Sequence, residues 1–84
     1  MNKKKLLAKM QNNSENVRFG EFVTLIEAFD FKYTRGEGSH EIYKRADVPG
    51  IVNIQNENGK AKSYQVEQFL KVVKKYNLKL EDDE

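Results

Sequence analysis

Cysteine is absent from the 84-residue sequence. That removes a disulfide framework and thiolate-ligated metals, and it fits a reducing cytoplasm. Histidine occurs once, at position 40, so the ligands of an ordinary zinc site are missing. No apolar run is long enough to span a bilayer. The start carries a basic cluster, Lys3-Lys4-Lys5, as an export signal would. Its apolar part, Leu6-Leu7-Ala8, is too short for that role before Lys9 interrupts. A Ser–His–Asp arrangement has no support, because Ser39 adjoins His40 and would point the opposite way on a strand. Gly36-Glu37-Gly38 lacks the further glycine of a dinucleotide fingerprint and precedes a strand, not a helix. Neither a cofactor nor a resident metal is expected.

What remains is the material of one small domain. Hydrophobic residues make up 38% of the chain, enough for one modest core and too many for full disorder. The formal charge of +2 conceals an asymmetry. Four of the thirteen acids close the chain as Glu81-Asp82-Asp83-Glu84; without them, nine acids face fifteen bases. A basic body with an acidic tail suits a polyanionic partner, although on charge alone ordinary solubility is the favoured reading.

Residues 3–12 read as a short basic helix, with Leu6, Leu7 and Met10 on one side. This N-terminal extension, 1–16, precedes the main domain, 17–80, and the tail 81–84. Ser14 or Asn16 is placed to cap the next helix. Phe19, Phe22, Val23 and Ile26 then fall at i, i+3, i+4 and i+7, the stripe of an amphipathic helix ending near Asp30. Phe31 to Arg35 alternates as a first strand, Gly36-Glu37-Gly38 reads as a turn, and His40 to Arg45 as a second strand. Asp47-Val48-Pro49-Gly50 reads as a turn, Ile51 to Gln55 as a third strand, and Asn58-Gly59 as a further turn. A last helix runs from Ser63, its expected N-cap, to Tyr76, with Val66, Phe69, Leu70 and Val73 inward and Asn77 at its stop. Two helices covering one apolar face of an antiparallel three-stranded sheet make a two-layer α+β domain. The other sheet face is left free for a partner.

Two stretches carry candidate chemistry. His40 follows two glycines and opens a strand, and an imidazole gives or takes a proton near neutral pH. Arg35, Lys44 and Arg45 lie near it in sequence and favour a phosphate. Ser39 is beside it, and Glu37 and Glu41 flank it as acids that are either solvated or able to hold a divalent ion. The second stretch, Gly59-Lys60-Ala61-Lys62-Ser63-Tyr64-Gln65, sets two lysines just before a helix start, where free N–H groups and the helix dipole favour an anion. Tyr64 could stack on a base or simply pack.

Gly38-Ser39-His40-Glu41-Ile42-Tyr43, the helix Phe19–Phe29 with its Asp30-Phe31 exit, and the later Gln55 and Gly59–Val66 together resemble the HicA toxins of bacterial toxin–antitoxin systems. The resemblance covers residues 17–80. It implies a fold like the double-stranded-RNA-binding domain, helix–three antiparallel strands–helix. It implies an mRNA interferase that cleaves RNA without a metal, with His40 as the catalytic residue. It also implies a cognate HicB antitoxin that covers the site. The sequence departs from the family's pattern at Ser63, where relatives often have proline, and at Glu41, an acid that would repel phosphate beside His40. Arg35, Ser39, Lys44, Arg45, Lys60, Lys62 and Tyr64 are the expected RNA contacts. The sequence supports two readings. One is a cytoplasmic ribonuclease using His40 to move a proton; the other is an RNA-binding module of the same fold that does not cut.

Overall fold

The computed structural model describes residues 2–80. The acidic tail read from residues 81–84 lies outside the described residues. In chain order the elements are α1 (Lys3–Asn12), α2 (Phe19–Ala28), β1 (Lys32–Glu37), β2 (His40–Arg45), β3 (Val48–Glu57), β4 (Lys60–Ala61) and α3 (Ser63–Lys75). The strands form one antiparallel sheet in the order β1-β2-β3-β4. The arrangement is α+β, helix–antiparallel strands–helix, as expected of a double-stranded-RNA-binding-domain-like fold. None of the described helices is long and apolar enough to cross a membrane.

Four strands stand where three are expected. β4 is only two residues long and lies between β3 and the segment before α2: Ala61 N–H donates to Val17 O at 2.9 Å, and Phe19 N–H to Gly59 O at 2.9 Å. A second correction concerns residues 48–50, which belong to β3 and not to a turn. Between the pairs Tyr43↔Val52 and Arg45↔Val48, β2 contributes one residue and β3 contributes Pro49, Gly50 and Ile51. Such a bulge accommodates both a proline without an N–H and Gly50 at φ 85°.

The core forms where the helices cover one sheet face. Phe22, Leu25, Ile26, Phe29, Val66 and Phe69 from the helices and the α2 exit meet Tyr43, Val52 and Ile54 from the strands. Phe69 is its centre, edge-to-face with Phe22, Phe29 and Phe31 at 5.8, 5.8 and 5.5 Å between centroids. Helix α1 is ordered and capped by the Asn2 side chain, and it buries Leu6 and Met10 in the same core.

Helices α2 and α3 end alike. Asp30 and Asn77 sit at φ 69° and 52°. Their N–H groups donate to Glu27 O and Lys74 O, and those of Phe31 and Leu78 to Ile26 O and Val73 O. These are Schellman closures, and they satisfy carbonyls that the helix ends would otherwise leave unpaired. The start of α2 differs from expectation. Its N-cap is Arg18, whose N–H donates to Glu21 Oε1, while Ser14 donates to Glu67 and Asn16 accepts from Lys60.

Candidate active site

The turn that delivers His40 is Gly38-Ser39, two residues long, and Gly36 and Glu37 belong to β1. Gly38 has φ 61°, in the glycine-first pattern of a type II′ hairpin, which matches the twist of the flanking strands. Ser39 O accepts the Asn56 N–H at 2.9 Å and ties the turn to β3. His40 therefore begins β2, paired with Glu37 on one side and Gln55 on the other, and its side chain is exposed.

Side chains on a strand alternate between faces. Tyr43 is 2% exposed in the core, and its hydroxyl donates to Glu41 Oε1 at 2.8 Å. Glu41 thus turns toward the helix side, away from the face on which His40 lies. Burial, then the bond to Glu41, then that carboxylate's charge push the Tyr43 phenol well above its ordinary value of 10.0. Glu37 and Glu41 lie on opposite faces and form no metal pair. Among the described residues, no three His, Cys, Asp or Glu side chains are grouped to hold a metal ion.

The helix-free face carries His40, Ile42 and their cross-strand partners. Arg35 lies opposite Ile42, Glu37 opposite His40, and Asn53 opposite Ile42 on the other side. With Gly36, these residues line a depression of about 450 Å³. A Cβ at Gly36 would come within 2.7 Å of the Tyr33 hydroxyl, the tip of a half-exposed side chain, and 3.0 Å of His40 O, so a larger residue there requires Tyr33 to shift. Arg35 makes no ion pair or side-chain hydrogen bond within the described residues and is free to meet an anion. His40 Nδ1 is 3.4 Å from Asn53 Oδ1. Asn53 was not singled out by the sequence, because an asparagine on the outer face of a strand carries no local signal.

Lys60, Lys62, Ser63 and Tyr64 line a second depression, of about 580 Å³, with Asn16 and Glu57. Lys60 Nζ donates to Asn16 Oδ1 at 3.0 Å, and Lys62 Nζ is 3.6 Å from Glu57 Oε2. The N-cap of α3 is Lys62, without a side-chain cap; Ser63 is the first helical residue and not the cap. Tyr64 is 54% exposed. β4 pairs with the end of β3 that also pairs with the start of β2, so this cluster and His40 share one end of the sheet, roughly 10 Å apart at two strand spacings.

Lys44 and Arg45 are at the other end of β2, roughly 13–16 Å along the strand from His40. Lys44 is exposed opposite Lys32. Arg45 is tied down: Nη1 donates to Phe29 O at 2.7 Å and Nε to Asp47 Oδ1 at 2.7 Å. The structure thus brings Arg35 and His40 into one depression, leaves Ser39 in the turn just before it, sets Lys60, Lys62 and Tyr64 at the same end of the sheet, and separates Lys44 and Arg45. A larger depression, about 920 Å³, lies between α1 and α3 in the helical layer, remote from His40.

The model of the HicA toxin of bacterial toxin–antitoxin systems matches residues 19–74. The chain belongs to the HicA toxin family. No curated protein and no solved structure matches it. The HicA match opens on the first residue of α2 and closes in the last turn of α3, so it contains the whole lining of the His40 depression and leaves α1, with Glu15 and Asn16 of the second depression, outside. Membership in HicA implies a cognate antitoxin as partner.

Proposed function

We propose that the protein is an endoribonuclease, the mRNA-cleaving toxin of a type II toxin–antitoxin pair, in which His40 moves the proton. The observation that carries this reading is an exposed imidazole at a strand start, on the helix-free face, beside the unpaired Arg35. The neutral ring takes the proton of a ribose 2′-hydroxyl. The resulting oxygen bonds to the adjacent phosphorus, and the bond to the 5′-oxygen breaks. Arg35 balances the negative charge that accumulates on the phosphorane. Water supplies the proton for the leaving oxygen, since Lys60 and Tyr64 lie two strands away. The products are a 2′,3′-cyclic phosphate and a 5′-hydroxyl, and DNA, lacking the 2′-hydroxyl, resists.

Lys60, Lys62 and the uncapped start of α3 hold the RNA backbone, with Tyr64 exposed to stack on a base. Binding of this kind weakens steeply with salt. A HicB-type antitoxin neutralises the toxin by covering this face, and both act in the cytoplasm. The reaction uses no metal and no cofactor. Purified protein incubated with RNA, with and without EDTA, tests the reading: cleavage persists with the chelator and falls by about 10²–10⁴-fold in His40→Ala. Equal cleavage in His40→Ala overturns it. RNA binding without cleavage reduces the protein to a binding module.

A further inference from the structure

We propose that Asn53 is a positioning residue for His40: its side-chain oxygen holds the proton on Nδ1, so that Nε2 presents a lone pair to the substrate. The inference rests on the reading of His40 as the proton-transferring group. Its basis is local geometry. His40 Nδ1 and Asn53 Oδ1 are 3.4 Å apart, on neighbouring strands of one face. A neutral imidazole carries one N–H, and the partner of one nitrogen decides which nitrogen carries it. An amide oxygen can only accept, so the proton stays on the nitrogen facing it. The base is then the other nitrogen, across the ring and open to solvent.

The register shows why Asn53 serves here. Ile42 of β2 lies directly opposite Asn53, and His40 directly opposite Gln55. Asn53 therefore reaches His40 along the diagonal, two residues down the same face, a separation that longer side chains span. Gln55 does not compete through its N–H, which donates to Gln65 Oε1 at 2.8 Å. The charged groups facing His40 come from β1, Arg35 and Glu37, while β3 contributes the neutral Asn53 and Gln55. Asn53 thus orients the ring without placing a further negative charge beside the phosphate.

His40 is the sole histidine, so nitrogen NMR of ¹⁵N-labelled protein reads its ring without assignment. At alkaline pH the native protein is expected to carry its proton on Nδ1. Asn53→Leu, of similar size, loses that preference, and Asn53→Asp, which keeps an acceptor oxygen, retains it. Cleavage of RNA falls about tenfold in Asn53→Leu, on the scale of one neutral hydrogen bond, with the circular dichroism spectrum unchanged. A ring protonated on Nε2 in the native protein, or a proton position that Asn53→Leu leaves unmoved, overturns the proposal. Loss of the nuclease reading would show instead as full cleavage by His40→Ala, whatever the ring spectrum.

Discussion

Two arginines that look alike in the sequence are expected to separate when each is changed to alanine. Arg45 gives a charge-assisted hydrogen bond to Phe29 O, at the buried exit of α2, and pairs with Asp47, which is 65% exposed. Loss of the first contact costs about 1.5–3 kcal/mol. The second contributes about 0–1 kcal/mol, because water screens it. Arg45→Ala therefore destabilises by roughly 2–3 kcal/mol, a large part of the 4–13 kcal/mol or so that a chain of this length possesses. At a urea slope of about 1 kcal/mol per molar, the unfolding midpoint falls by roughly 2–3 M. Its RNA affinity, measured by fluorescence anisotropy at about 0.15 M salt, changes less than about threefold, because this cation lies beyond the Debye length of about 8 Å from His40. Arg35→Ala gives the reverse. With no ion pair or side-chain hydrogen bond among the described residues to lose, its midpoint stays within about 0.3 M, while RNA binding weakens about tenfold for the lost charged contact. An Arg45→Ala protein with its native midpoint and no RNA affinity would refute this division of roles.

Lys62→Ser supplies the missing cap at α3 and is expected to stabilise the fold by about 0.5–1 kcal/mol in urea unfolding, while RNA binding weakens and its salt slope falls by about one. The Tyr43 phenol keeps its proton in the folded state at pH values where the unfolded chain loses it. The stability it contributes is present below pH 10.0 and declines as pH rises beyond that value. Unfolding monitored by circular dichroism from pH 8 upward should show a shallower alkaline decline in Tyr43→Phe than in the native protein.

The periodic parts of the fold were legible in the sequence. Phe22 and Ile26 are fully buried and Val23 partly so, as the i, i+3, i+4, i+7 stripe requires, and Val66 and Phe69 do the same for α3. Asn77 ends α3 where expected. What escaped depends on distant partners. β4 is held between the end of β3 and residues 17–19, which reach it from the start of α2. Residues 48–50 remain extended because a bulge absorbs their proline and glycine. Gly38-Ser39 was a local signal, glycine first in a two-residue turn, that the nearby Gly36 obscured. Arg45 was grouped with the phosphate-binding cations because its true acceptor is sixteen residues away. The alternation that sends Glu41 away from His40 was available from strand period alone.

Leu6 and Met10 are each 1% exposed, yet they precede the recognised unit by nine residues or more. The stretch that defines kinship is thus shorter than the stretch that closes the interior. A version trimmed to begin at Phe19 would keep every group assigned to RNA while uncovering the oily floor beneath α1. Recognisable ancestry and physical self-sufficiency have different lengths in this chain.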